Sequence, residues 1–375
     1  MPEIVDLRTA DDSRDVVHQV VQSLAEGRLM GLPTETGYVA VAHPLVAGSA
    51  DRLAALGRRL ERPRLVLALK NSQEALDYIP QMGAVGRKLT RRFWPGPVTL
   101  VFDAAVDSGL LSVLPQAVGR ALLDGPRLAL RVPSPKLTWN VLRLLPAPLV
   151  VIDEATPGSV IFSSARSLAE AAGDELAAVI DTGAPRHELP SSIVRVVGES
   201  WDVVREGAAT QRTLKRLAGN WFLFVCTGNT CRSPMAEGLF RKLLADRLNC
   251  SEDDLVDRGY MSLSAGVAAG TGSPSSPEAV EILGQRGVDI SGHASQQVTP
   301  QLLSQADRIF TMTRSHRELL VREFPEVASR VSLLSRNGSD VIDPIGAGIE
   351  EYRRCADQIE KYVQGIVAEL PAPGN

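Results

Sequence analysis

The stretch Phe222-Leu223-Phe224-Val225-Cys226-Thr227-Gly228-Asn229-Thr230-Cys231-Arg232-Ser233-Pro234 constrains this chain more than any other. Phe222 to Val225 is a short apolar, partly β-branched run, which suits a buried strand of a parallel sheet. Beyond the polar turn, Ser233 has the residue type of a helix N-cap and Pro234 sits where a missing N–H costs nothing. Glu237 is expected in the first turn, where the helix dipole favours an anion. Leu239, Phe240, Leu243, Leu244 and Leu248 then recur at helical spacing and form a stripe that can pack on the sheet. The stretch therefore predicts a strand, a tight loop and a helix whose N-terminus points back at Cys226.

That geometry implies chemistry. A helix N-terminus offers unpaired N–H groups to an anion, and a cysteine seated there beside an arginine is favoured as the thiolate, hence as a nucleophile. Arg232 presents a planar fork of donors matched to two oxygens of a phosphoryl group. Gly228 is expected to permit the tight loop and close backbone approach, and Asn229 can take φ > 0 while bonding the loop backbone. Alone, Cys226 would read as an ordinary core cysteine; the Cys-x5-Arg-Ser spacing between strand and helix argues for catalysis.

With that loop in view, Cys226-Thr-Gly-Asn-Thr-Cys-Arg-Ser-Pro resembles the signature of the low-molecular-weight protein tyrosine phosphatases, a family that includes bacterial protein-arginine phosphatases. The similarity runs from about Trp221 to Val367. It implies that Cys226, Arg232 and Asp343 are catalytic and that Thr227, Gly228, Asn229, Thr230, Cys231 and Ser233 hold the substrate's phosphoryl group. Ser264 and His293 match positions that support the loop through hydrogen bonds. Asp343-Pro344 alone would be a common turn; in this pattern it supplies the acid that protonates the leaving atom and later takes a proton from water.

The chain has 375 residues, enough for two or three domains of ordinary size. A net charge of −4 gives no basic footprint for nucleic acid. No apolar window is long enough to span a bilayer and no signal-like segment opens the sequence, so a soluble cytoplasmic protein is expected. The four cysteines, at 226, 231, 250 and 355, do not resemble a disulfide framework, and the five histidines show no metal-ligand spacing. The chemistry needs neither a metal nor a cofactor.

Before the phosphatase-like part, an apolar helical stripe over residues 14–27 and strand-like runs at 29–32, 64–70, 98–102, 128–133 and 148–152 predict a mixed α/β domain. Its landmarks are Pro33-Thr-Glu-Thr, Phe93-Trp-Pro-Gly-Pro-Val-Thr-Leu-Val, Arg131-Val-Pro and Ser191-Ser-Ile-Val. They resemble the YrdC-like family, the threonylcarbamoyl-AMP synthases of tRNA modification, whose fold binds double-stranded RNA. The resemblance implies a nucleotide or tRNA ligand held by Thr34, Arg59 and Arg131. Two departures point to a degenerate site. The family's Lys-x-Arg is Gly57-Arg58-Arg59 here, and its Ser-x-Asn falls on Asp153 and Ala155. Asp153 and Glu154 are expected to repel a polyanionic nucleotide.

The expected organisation is a YrdC-like domain at 1–207, a linker at 208–219 with a helical turn, and a phosphatase-like domain at 220–372. In the latter, strands near 261–266, 306–313 and 330–334 alternate with helices near 277–286, 315 onward and 350–370. That alternation predicts a doubly wound parallel sheet with its ligand at the carboxyl ends of the strands. Ile345 and Gly346 stand where tyrosine-directed relatives carry an aromatic wall, and Thr230 matches the threonine of arginine phosphatases. A phosphorylated protein, phosphoarginine before phosphotyrosine, is therefore the expected substrate; a small phosphorylated metabolite, a threonylcarbamoyl-AMP synthase with an attached phosphatase domain and a non-catalytic binding module are the alternatives. Cys231 also invites a disulfide with Cys226 after oxidation.

Overall fold

A computed structural model describes residues 1–153 and 161–370 of the chain, which divides into two units, Met1–Leu214 and a second from Lys215 onward. Among the described residues no helix is long and apolar enough to cross a membrane.

The first unit is built on ten strands: β1 (Glu3–Asp6), β2 (Leu29–Pro33), β3 (Tyr38–Ala42), β4 (Leu65–Ala68), β5 (Val98–Asp103), β6 (Arg127–Arg131), β7 (Leu149–Ile152), β8 (Leu176–Asp181), β9 (Ser192–Val197) and β10 (Ser200–Arg205). They form one mixed sheet in the order β1-β8-β2-β3-β7-β4-β6-β5-β9-β10. The helix Ser13–Ala25 starts on Asp12, whose side chain accepts from Arg14 N, and it buries Val16, Val17, Val20 and Leu24 against the sheet core. That is the stripe the sequence shows, ending one turn-forming residue before Gly27 at φ 81°. The segment expected as a linker is helical over Gln211–Ala218.

The second unit holds β11 (Asn220–Cys226), β12 (Tyr260–Gly266), β13 (Arg308–Thr311) and β14 (Val331–Leu333), ordered β12-β11-β13-β14. Every pairing is parallel, as the alternation of strands and helices predicts. β11 lies in the interior of the sheet, and Phe222 to Cys226 are all buried. One side of the sheet packs Phe222, Phe224 and Phe310 against the helix Arg232–Leu248 and the C-terminal helix Ile349–Glu369. The other side packs Leu223, Val225 and Ile309 against Leu303, Leu320 and Val327. Two-sided burial is why this strand reads as an unbroken apolar run. Its carboxyl end delivers Cys226 to the mouth of the sheet.

The helix after the loop differs in detail from its sequence reading. It begins at Arg232, with Cys231 as an N-cap that makes no side-chain capping bond. Ser233 is inside the first turn, and its hydroxyl is used elsewhere. Glu237 falls beyond the first turn, where Ser264 Oγ donates to its Oε2 at 2.6 Å; burial raises its carboxyl above the usual range.

Candidate active site

The loop between β11 and the helix is fixed from outside by its carbonyls. Val267 N donates to Cys226 O at 2.9 Å and Ala268 N to Thr227 O at 3.0 Å. His293 Nε2 lies 2.7 Å from Asn229 O, and Ser276 N donates to Thr230 O at 2.8 Å. In a trans peptide the carbonyl and the following N–H point in opposite directions. Turning these four carbonyls outward therefore turns the N–H groups of Thr227, Gly228, Thr230 and Cys231 inward, a concavity of donors suited to an anion.

Asn229 is the hinge of this loop. It adopts φ 56°, is fully buried, and its side chain ties three elements together. Nδ2 donates to Ser233 Oγ at 2.9 Å and to Ser264 Oγ at 3.0 Å, while Oδ1 accepts from Gln296 N at 2.9 Å. Ser233 Oγ in turn lies 2.9 Å from Cys226 Sγ, and Asn229 N donates to the same sulfur at 3.2 Å. One N–H donor and one hydroxyl thus meet at Sγ, and the hydroxyl also lies 3.4 Å from Ala265 O.

Glycine is needed one strand away from where the sequence suggests. At Gly228 an added Cβ would meet only Thr230 Oγ1, at an ordinary 3.6 Å, and φ is not in the left-handed region. At Gly266, the last residue of β12, a Cβ would overlap Thr227 O and stand 3.0 Å from Asn229 N. The close backbone approach belongs to that neighbouring strand, which sequence distance hides.

Arg232 and Asp343 meet across the mouth. Nη2 donates to Oδ2 at 2.6 Å, with the arginine side chain 5% exposed and the carboxylate 46% exposed. Arg232 Nε is buried with no hydrogen-bond partner among the described residues. Ile342 and Ile345 beside the carboxylate are exposed, and Ile345 shows 69% of its surface. Thr230 is half-buried, its hydroxyl 3.7 Å from Cys231 Sγ. Burial pushes the Cys231 thiol up from its ordinary value.

His316, which the sequence reading passed over, bridges two hydroxyls. Its Nε2 lies 2.8 Å from Thr227 Oγ1 and its Nδ1 2.9 Å from Thr313 Oγ1, the N-cap of its own helix Arg314–Glu323. Burial, reinforced by the Arg232 charge, lowers its pKa to about 4. A neutral imidazole therefore braces the residue after the nucleophile. The only local signal was Thr313-x-x-His316 at a helix start, which does not reveal a partner 89 residues away.

Among the described residues, those singled out in the first unit bond to different partners. Arg59 donates to the carbonyls of Ala171 and Ala172 and pairs with Glu175 at 2.8 Å, capping the end of the helix Ala165–Ala172. Arg131 instead forms a buried pair with Glu35 at 3.0 Å, and Glu35 also accepts from Ser134 N at 3.1 Å. Thr34 closes the adjoining turn, donating to Gly37 O at 3.0 Å. Asp153 is not a bare repulsive charge: it is buried, 3.2 Å from Arg205 Nη2 and 3.8 Å from Arg64 Nη1. Glu154 and Ala155 lie outside the described residues.

Comparison with known proteins agrees with this two-part reading. Residues 222–373 match the family described as low molecular weight phosphotyrosine protein phosphatase. Residues 22–207 match the Sua5/YciO/YrdC family, described as telomere recombination. Among curated proteins, the chain is 35% identical over 152 residues to the protein-arginine-phosphatase of Bacillus subtilis, covering 40% of this chain and 95% of that protein. The protein-arginine-phosphatase of Geobacillus stearothermophilus is 34% identical, with 40% and 94% covered. A probable low molecular weight protein-tyrosine-phosphatase of Ralstonia nicotianae is 33% identical, with 40% and 97% covered.

Proposed function

The chain belongs to the low molecular weight phosphotyrosine protein phosphatase family through residues 222–373, and on that premise we propose that it hydrolyses phosphorylated protein side chains, phosphoarginine in preference to phosphotyrosine. Cys226 Sγ attacks phosphorus while the inward N–H groups of the loop and Arg232 hold the three non-bridging oxygens. Asp343 gives its proton to the leaving nitrogen or oxygen. A cysteinyl phosphate remains, and water attacks it as the Asp343 carboxylate takes the proton, releasing inorganic phosphate and the free thiolate.

The observation that supports this reading is the 2.6 Å pair of the Asp343 carboxylate with Arg232, the arginine that follows the loop in which Asn229 N and the Ser233 hydroxyl meet Cys226 Sγ. The unpartnered Arg232 Nε supports it, since a phosphoryl oxygen would satisfy that buried donor. Preference for phosphoarginine is supported by an aliphatic rim at Ile345, which offers no ring to stack on a phenyl group, and by Thr230 in the loop. The similarity to two proteins named as arginine phosphatases points the same way.

Phosphoarginine and phosphotyrosine peptides assayed side by side test the proposal. Phosphoarginine is expected to be cleaved faster, with Thr230→Ile narrowing or reversing the ratio and Cys226→Ser inactive on both. Equal rates on both peptides, unmoved by Thr230→Ile, would defeat the preference; an active Cys226→Ser variant would defeat the mechanism. For the YrdC-like domain we infer no adenylate-forming activity, because the Arg59 guanidinium is engaged by Ala171, Ala172 and Glu175 and that of Arg131 by Glu35. Adenylate formation from ATP and threonine by the full chain would contradict this.

A further inference from the structure

Asp343 follows a segment, Asp340–Ile342, that is neither strand nor helix. Chain of that kind is ordinarily mobile unless its peptide groups are bonded. Here they are held from two directions. Val341 N donates to Met312 O at 2.8 Å, at the carboxyl end of β13. From the other side, the amide of Gln358 reaches over both flanking peptides: Nε2 donates to Asp340 O at 3.1 Å, and Oε1 accepts from Ile342 N at 3.0 Å. One turn earlier on the same helix, Cys355 Sγ donates to Ile342 O at 3.3 Å. Cys355 is fully buried, and burial pushes its thiol up to about 12, so it stays a donor.

Both side chains stand three residues apart on the helix Ile349–Glu369, which shares one core with the helix that begins at Arg232. A single rigid element thus spans from the arginine's helix to the main chain immediately before the carboxylate. We propose that Gln358 is a positioning residue for the reaction: by gripping Asp340 and Ile342 with one side-chain amide, it sets the reach of Asp343 toward the substrate, with Cys355 as a second hold. An amide suits this place because it donates and accepts in one plane, like a short piece of strand. The proposal rests on the reading of Asp343 as the proton donor.

The test compares leaving groups in the full-length protein. Phenyl phosphate needs its leaving oxygen protonated, whereas para-nitrophenyl phosphate needs little help. Gln358→Met, which at similar volume removes both bonds to this segment and a 3.3 Å bond to Tyr362 Oη, is expected to lower kcat/KM on phenyl phosphate by about tenfold or more while changing kcat/KM on the nitrophenyl ester by less than about threefold; kcat/KM leaves out the later hydrolysis of the cysteinyl phosphate, in which Asp343 also acts. Gln358→Glu keeps the acceptor for Ile342 N and loses the donor to Asp340 O, so it should fall between. Added to Asp343→Asn, Gln358→Met should cost nothing further. Equal losses in kcat/KM on both substrates, or a further loss in the Asp343→Asn background, would reduce Gln358 to a fold-stabilising role and overturn the proposal while leaving the acid in place. An Asp343→Asn variant with no leaving-group dependence overturns the acid reading and this proposal with it. If Gln358→Met fails to fold, the graded loss in Gln358→Glu decides.

Discussion

Arg232 and Asp343, 111 residues apart in sequence, share a 2.6 Å hydrogen bond between a buried guanidinium and a half-exposed carboxylate. The pair joins the loop that grips a phosphoryl group to the group that would carry its proton. It also sets a charge balance, since each side chain is the other's counter-ion until a substrate anion competes for the arginine.

Asp343→Asn tests that balance. Removing the proton donor is expected to slow phenyl phosphate hydrolysis by about 10²-fold or more, within the range of general acid catalysis. Inorganic phosphate should inhibit this variant more tightly than the parent, because Arg232 no longer shares its donors with a carboxylate. Steady-state kinetics with phosphate as competitor measures both effects, and weaker phosphate inhibition would contradict the charge argument.

Gly266→Ala should damage the loop from the neighbouring strand. Its Cβ would overlap Thr227 O and press on Asn229 N, so either β12 or the loop must shift. A shift of the loop carries the N–H groups away from the phosphoryl position. The expected result is a loss of about 10²-fold in kcat/KM, with Gly228→Ala much milder. Reversed severity would mean that the approach at Gly266 does not govern the loop.

His316 gives the fold an acid-sensitive brace. Its pKa is lowered to about 4 in the folded chain from an ordinary 6.5, so between those values the unfolded state binds more protons. Stability is therefore undiminished above about pH 6.5 and falls as pH drops toward 4, by on the order of 2–3 kcal/mol from this group. Urea unfolding across that window should show a flatter dependence in His316→Gln, which cannot protonate. Glu237 contributes with the opposite sign, since its carboxyl is raised and its neutral form is the one the fold prefers.

Cys231 should form a disulfide with Cys226 once mild peroxide has converted Cys226 to the sulfenic acid, with loss of water. Because burial raises the Cys231 thiol and only its thiolate attacks, formation should quicken as pH rises. Mass spectrometry of the oxidised protein and recovery of activity on thiol addition check this. Absence of the 226–231 link at every pH would remove the switch.

The sequence by itself determined the strand, loop and helix around Cys226, because two-sided burial, helical periodicity and the loop's residue types are all local. It also marked Asn229 as the residue able to take φ > 0, and its alternation of apolar runs predicted the parallel sheet. Resemblance to a family supplied Asp343, Ser264 and His293, whose positions no periodicity dictates. What only the tertiary structure decided lies in contacts between distant segments. Ser233 reads locally as a helix cap, yet Cys226 Sγ and Asn229 Nδ2 claim its hydroxyl, and the helix starts two residues earlier. Gly266 is needed because another strand's loop crosses it, and Asp153 is a neutralised charge because Arg205 and Arg64 arrive from elsewhere. Arg59 and Arg131 each find a different partner on folding. Propensity acts through a residue's neighbours in sequence, whereas hydrogen bonding, ion pairing and steric overlap act through neighbours in space, and folding alone assigns those.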